Sequence, residues 1–226
     1  MSHLYLRANL VFLIWFFFMG ALIFWPAGTM AFPGGWAFLI ILVSGGLTMT
    51  GWLAKHSPQL LQERMRFPIQ RGQAFWDQIW IVLFISGFCG WLAVMGWDAA
   101  RAGFNAVPAW GQALGGLAVA GSMLGGWWAF RANAFAAPVV KIQEGQKVID
   151  TGPYAAVRHP MYANALLLFA GVPLLLGSWL GLVLAPVLIV GMGWRAVQEE
   201  KALRRGLAGY EEYARRVRYR LIPGIW

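Results

Sequence analysis

The chain has a single cysteine in 226 residues and only nine acidic residues. A lone thiol, Cys89, can form no intramolecular disulfide and no thiolate metal cluster, so neither a disulfide scaffold nor a structural zinc site holds this fold. Set in an apolar stretch, it reads as a small buried hydrophobe. Charged residues make up 12% of the chain, about half the share found in soluble domains, which excludes an ordinary water-facing surface. Internal repeats are also absent, which excludes a solenoid. No small-residue cleavage site follows the first apolar run, so that run is expected to remain as a helix. What is abundant is apolar: 59% of residues are hydrophobic and the mean hydropathy is +0.58. Together these predict one all-α, polytopic transmembrane helical bundle, a single integral membrane domain over 1–226.

Apolar runs of membrane-spanning length lie at about 9–25, 34–54, 79–97 and 110–130, near the ~20 residues a bilayer core requires. A fifth run, 161–194, is too long for one crossing. Gly177-Ser178-Trp179 divides it into a helical hairpin with arms at about 161–177 and 179–196, for six spans in all, and Pro173 and Pro186 are placed to kink the arms. Lys and Arg concentrate on cytoplasmic loops. With both termini inside, every Lys and Arg, Arg71 among them, falls on the inner side except Arg101. Losing one span would carry a basic loop across the membrane. The net charge of +9 therefore flanks hydrophobic spans and points to anionic lipid headgroups, not to nucleic acid. Gly111, Gly115, Gly116, Gly121, Gly125 and Gly126 give the fourth span a stripe of small residues, read as intramolecular packing more than as a dimer face.

Polar residues gather in three places. Residues 55–78 form an inner loop rich in proline and charge, with a short interfacial helix expected at 58–65. After 196, Leu203, Leu207, Tyr210, Ala214 and Val217 recur at helical spacing, which predicts an amphipathic tail along the inner membrane face. Gly206 and Gly209 interrupt it, Pro223 stops it, and Ile225-Trp226 is expected to tuck back on the bundle. The third place is Gly152-Pro153-Tyr154 with Arg158-His159-Pro160-Met161-Tyr162, followed after the hairpin by Arg195 and Glu199-Glu200. An ionisable group on a membrane helix costs roughly 2.5–3.5 kcal/mol, so such groups mark functional sites. Pro160 suits a helix start, whose free N–H groups and dipole make an anion seat. Read alone, Arg158 serves equally as a basic flank, His159 as a polar cap, and Tyr154 and Tyr162 as interfacial aromatics. Arg195 and Glu199 are spaced to meet on one helix face, and Glu200 with Arg204 has the better order for a surface pair.

As an ordered set these residues resemble the isoprenylcysteine carboxyl methyltransferase family and its relatives, the phospholipid N-methyltransferases. The resemblance rests on Gly152-Pro153-Tyr154, Val157 through Tyr162, Glu199 through Leu203, Gly209 through Tyr213 and Val217 through Pro223. It covers roughly 140–223. The stretch from Glu63-Arg64 to Trp76-Asp77 is similar to bacterial members, which implies a bacterial inner membrane with the cofactor site on the cytoplasmic side.

The resemblance implies an enzyme that takes S-adenosylmethionine, releases S-adenosylhomocysteine and needs no metal. Its cofactor contacts would be Gln143, Gln146, Lys147, Val148 and Ile149, then Tyr154, His159, Pro160, Met161 and Tyr162, with Glu199 and Glu200 opposite. Arg195 and Glu199 would be catalytic, Arg195 facing a lipophilic acceptor, either an isoprenyl-linked carboxylate or a lipid headgroup. Gln146 stands where the family commonly has His. Membrane sterol-type reductases, which use NADPH, resemble the same carboxy-terminal segment. They tend to carry Asn after His-Pro, where this chain has Met161. A transporter or assembly factor is disfavoured, because the spans show no inverted repeat.

Overall fold

The computed structural model describes residues 2–70, 72–102 and 107–226; Arg71, expected on the inner side, lies outside them. In chain order the helices are α1 (Ser2–Ala27), α2 (Pro33–His56), α3 (Pro58–Arg64), α4 (Phe75–Trp97), α5 (Ala109–Ala132), α6 (Pro160–Leu176), α7 (Trp179–Gly206) and α8 (Tyr210–Arg216). No strand occurs among the described residues. α1, α2, α4, α5 and α7 are long and apolar enough to cross a membrane. At about 1.5 Å per residue, 23 residues or more exceed the ~30 Å hydrocarbon thickness. α6 has 17 residues and sits at the lower limit of that range.

Two boundaries differ from expectation. α1 begins at Ser2 and is a full-length crossing, and α7 continues to Gly206, well beyond 196. Polar residues ended the hydropathic run in the sequence, yet nothing in them breaks a helix before Gly206. α4 runs on into one π turn, Asp98–Ala102.

The hairpin between α6 and α7 is built as its sequence suggests. Gly177 takes a left-handed conformation, φ 82°, that a Cβ would disfavour, and ends α6. Ser178 then caps α7, its Oγ accepting from Gly181 N at 2.9 Å. The same hydroxyl donates to Asp98 Oδ2 at 2.6 Å, and Leu180 N donates to that oxygen at 3.1 Å. Asp98 thereby ties the turn to the end of α4.

α5 and α6 pack backbone to backbone. A Cβ on Gly115 would stand 2.3 Å from Leu175 N, and one on Gly171 would stand 2.9 Å from both Ala118 Cβ and Gly115 O. Ser122 Oγ donates to Asn164 O at 2.9 Å across the same seam. The glycine stripe of α5 is thus spent inside the bundle. The main core, with Ile23, Phe38, Leu92, Met95, Phe169 and Val172, joins α1, α2, α4 and α6. Cys89 is only half-buried.

The carboxy-terminal tail is a correction. Tyr210, Tyr213, Ala214 and Val217 do share an apolar face, but it packs on Leu203, Leu207 and Val148. α8 therefore covers a loop of its own protein, not a lipid surface. The last residues do fold back: Trp226 O accepts from the N–H groups of Arg220, Leu221 and Ile222, and its ring lies against Gly193 of α7.

Candidate functional site

The starts of α4 and α6, the ends of α3 and α5, and the extension of α7 all lie at one end of the bundle. Between them, roofed by residues 133–151 and by α8, is a cavity of about 510 Å³. Gln146, Lys147, Val148, Ile149, Tyr154, His159, Pro160, Met161, Tyr162, Arg195 and Glu199 all line it. Gln143 and Glu200 do not. Gln143 builds the roof: its N–H donates to Gln146 Oε1 at 2.9 Å and its Nε2 to Phe135 O at 2.7 Å.

The Gly-Pro-Tyr turn is a short 3-10 helix, Gly152–Ala155, entered through Gly152 at φ 58°. It sets Tyr154 into the cavity wall, where its carbonyl accepts from Tyr213 Oη at 2.8 Å. Burial, aided by the nearby Glu199 carboxylate, pushes the Tyr154 phenol up to about 12. It stays a donor at any physiological pH. At the start of α6, Pro160 occupies the first position as expected, but the anion seat is smaller than a bare helix end. His159 N donates to Arg220 O at 2.9 Å and Tyr162 N to His159 O at 3.0 Å. Pro160 has no N–H, so that of Met161 is left to face a ligand.

Glu200 lies beneath the cavity, 2% exposed, instead of pairing with Arg204 on the surface. Its Oε1 accepts from Arg158 Nε at 2.7 Å and lies 3.2 Å from His159 Nε2; its Oε2 accepts from Arg220 Nε at 3.2 Å. Arg158 Nη1 also donates to the carbonyls of Val217 and Arg218. Arg158 N donates to Tyr219 O, which with the His159–Arg220 bond clasps the tail to the start of α6. Arg204 pairs with Glu211.

Arg195 and Glu199 do not pair with each other either. Glu199 Oε2 accepts from Tyr162 Oη at 2.6 Å, leaving Oε1 for a ligand. Arg195 Nε donates to Asp77 Oδ1 at 2.9 Å and its Nη2 to Pro138 O at 2.8 Å, while its guanidinium lies 4.5 Å from the Trp80 ring centroid. The Nε–Nη2 edge, one of the two edges able to grip a carboxylate in two-pronged fashion, is therefore already used.

Asp77 falls among the loop charges when read from sequence alone. It is fully buried, and besides Arg195 its carboxylate accepts from Gln73 Nε2 at 2.8 Å and Val140 N at 2.9 Å. The available signal was an acid in the first turn of an otherwise apolar helix. Arg64, at the end of α3, is a second site residue with no local signal of its role. It lines the cavity, as does Tyr210, whose buried hydroxyl lacks a partner among the described residues.

An all-helical, multi-pass, membrane-type bundle with a ligand-sized cavity at one end, lined by apolar and charged side chains together, is the class that these observations define. Within it, residues 110–208 match the model of the phospholipid methyltransferase family. The matched stretch runs from nearly all of α5 through the roof, α6 and the whole of α7, and so contains most of the cavity wall. It agrees with the resemblance to isoprenylcysteine and phospholipid methyltransferases and supports a membrane methyltransferase. Comparison with curated proteins gives no match.

Proposed function

We propose that the chain is an S-adenosylmethionine-dependent methyltransferase that acts on a lipophilic acceptor at the cytoplasmic face of the membrane. The observation that carries this is the gathering of the 146–149 segment, Tyr154, the start of α6 and Glu199 around one cavity. Its volume of about 510 Å³ falls within the roughly 300–1,000 Å³ of small-molecule sites. The donor set suits this cofactor. The Oε1 of Glu199 can accept from an ammonium or a ribose hydroxyl, and the Met161 N–H can donate to a carboxylate.

Held there, S-adenosylmethionine would supply an electrophilic methyl carbon to an acceptor lone pair, its sulfur keeping the electron pair of the broken carbon–sulfur bond. The protein's part is orientation and exclusion of water. Tyr162 fixes the Glu199 carboxylate, and Asp77 with Arg195 anchors the roof through Val140 N and Pro138 O. α8 closes that roof from above. For an amine acceptor Glu199 is the nearest base with a lone pair to spare.

Thermal unfolding of the purified protein with S-adenosylhomocysteine and with NADPH tests this proposal against the reductase alternative. A ligand at a hundred times its Kd stabilises by about 2.7 kcal/mol. S-adenosylhomocysteine should raise the unfolding temperature and NADPH should leave it unchanged; the reverse result refutes the proposal.

A further inference from the structure

Arg64 borders two cavities. Besides the one at the end of the bundle, it reaches a second, also about 510 Å³, open between the helices. That second cavity is walled by apolar side chains from α1, α2, α4, α5 and α6, among them Phe12, Leu42, Phe88, Met123 and Leu168. At its inner end stand Leu53, Leu61, Met65 and Arg64.

Arg64 also differs from the other arginines of the site in its partners. Arg158 has Glu200 and Arg195 has Asp77. The acid beside Arg64 in sequence, Glu63, is taken by Arg66 at 2.9 Å and Lys141 at 2.8 Å. Among the described residues no carboxylate pairs with Arg64. Its Nη1 donates to Ala136 O at 3.1 Å, and its guanidinium packs 4.2 Å from the Phe130 ring centroid. A sheltered guanidinium with a lone carbonyl partner gains from an incoming anion, since desolvation is already paid and the Nε and Nη2 donors stay open.

We propose that Arg64 holds the anionic group, carboxylate or phosphate, of a lipid acceptor whose apolar chain lies in the second cavity. This rests on the first cavity being the methyl-donor site. A chain entering between the helices would then end at the seam of the two cavities. There a carboxylate would itself be the acceptor, and a phosphate would set a linked amine beside the donor. Arg195, with Asp77 and Pro138 on it, keeps the wall in place.

Equilibrium binding of radiolabelled palmitate, hexadecyl phosphate and the neutral methyl palmitate to the full chain in a non-ionic detergent tests the assignment. Wild-type protein should prefer at least one of the two anions over the ester by about tenfold or more, equivalent to about 1.4 kcal/mol. Which anion is preferred identifies the headgroup. Arg64→Gln should lose the preference while keeping its affinity for the neutral ester within about twofold, and Arg64→Lys should retain part of it. Thr50→Phe, which fills the second cavity, should weaken all three lipids. Equal binding of ester and anions, a preference that survives Arg64→Gln, or undiminished binding to Thr50→Phe overturns the proposal. If the lipid results hold but S-adenosylhomocysteine does not bind, the donor site is misassigned and the lipid site stands.

Discussion

Glu199 and Glu200 are neighbours in sequence with different surroundings, one on the cavity wall and one buried, and mutation should separate them. Glu200 is buried against three cationic or potentially cationic partners, and removing one side of such a cluster leaves uncompensated charge. Glu200→Ala should lower stability by about 3–5 kcal/mol, read by thermal unfolding, or prevent folding altogether. Glu199→Gln can still accept from Tyr162, so it should unfold within about 1 kcal/mol of wild type. It should bind S-adenosylhomocysteine at least tenfold more weakly, a loss of roughly 1.5–3 kcal/mol for a hydrogen bond to a charged group. Asp77 and Arg195 form a second test. Because each completes the other, Asp77→Ala and Arg195→Ala should be non-additive, with a coupling of about 0.5–3 kcal/mol in a double-mutant cycle of stability. Additive losses would mean that the pair does not act as a unit. The motif residues around His159 were legible at this scale because local chemistry, a turn followed by proline, marks them. Asp77, Arg64 and the burial of Glu200 were not, because each is defined by a partner at least 40 residues away in the chain.

At the scale of elements, the α5–α6 seam makes the sharpest prediction. Gly115→Ala puts a methyl group against backbone atoms that cannot turn aside, so it should lower the unfolding temperature markedly. Gly90→Ala on α4 meets nothing within 4 Å and should be neutral or stabilising by about 0.5–1 kcal/mol through backbone entropy. Equal effects would contradict the close approach. Hydropathy located the crossings, and the hairpin turn was legible because Gly177 and Ser178 do local work that the structure repeats. The ends of α1 and α7 were not legible. Apolar runs report lipid contact, whereas a helix continues wherever no residue stops it, as α7 does to Gly206. α8 shows the complementary failure: periodicity revealed an apolar face but not what covers it, and the covering is Val148 with the end of α7.

For the whole molecule, we propose from the basic residues an orientation with the first cavity, both termini and the tail clasp on the cytoplasmic side and Arg101 opposite. Cysteines placed at positions 101 and 218 in a Cys89→Ala background should react with an impermeant maleimide from opposite sides of sealed vesicles. Labelling of both from one side would contradict the six-crossing arrangement. In the proposed function that arrangement sets a water-soluble donor against a lipid acceptor at one boundary, the donor lying in the first cavity. Photo-crosslinking of an azido analogue of S-adenosylmethionine to the purified protein, with the labelled peptides mapped by mass spectrometry, tests that place most directly. Label within 146–162 or 195–213, displaced by excess S-adenosylhomocysteine, is the result predicted. Displaceable label confined to α1 and α2, or no displaceable label at all, would contradict it.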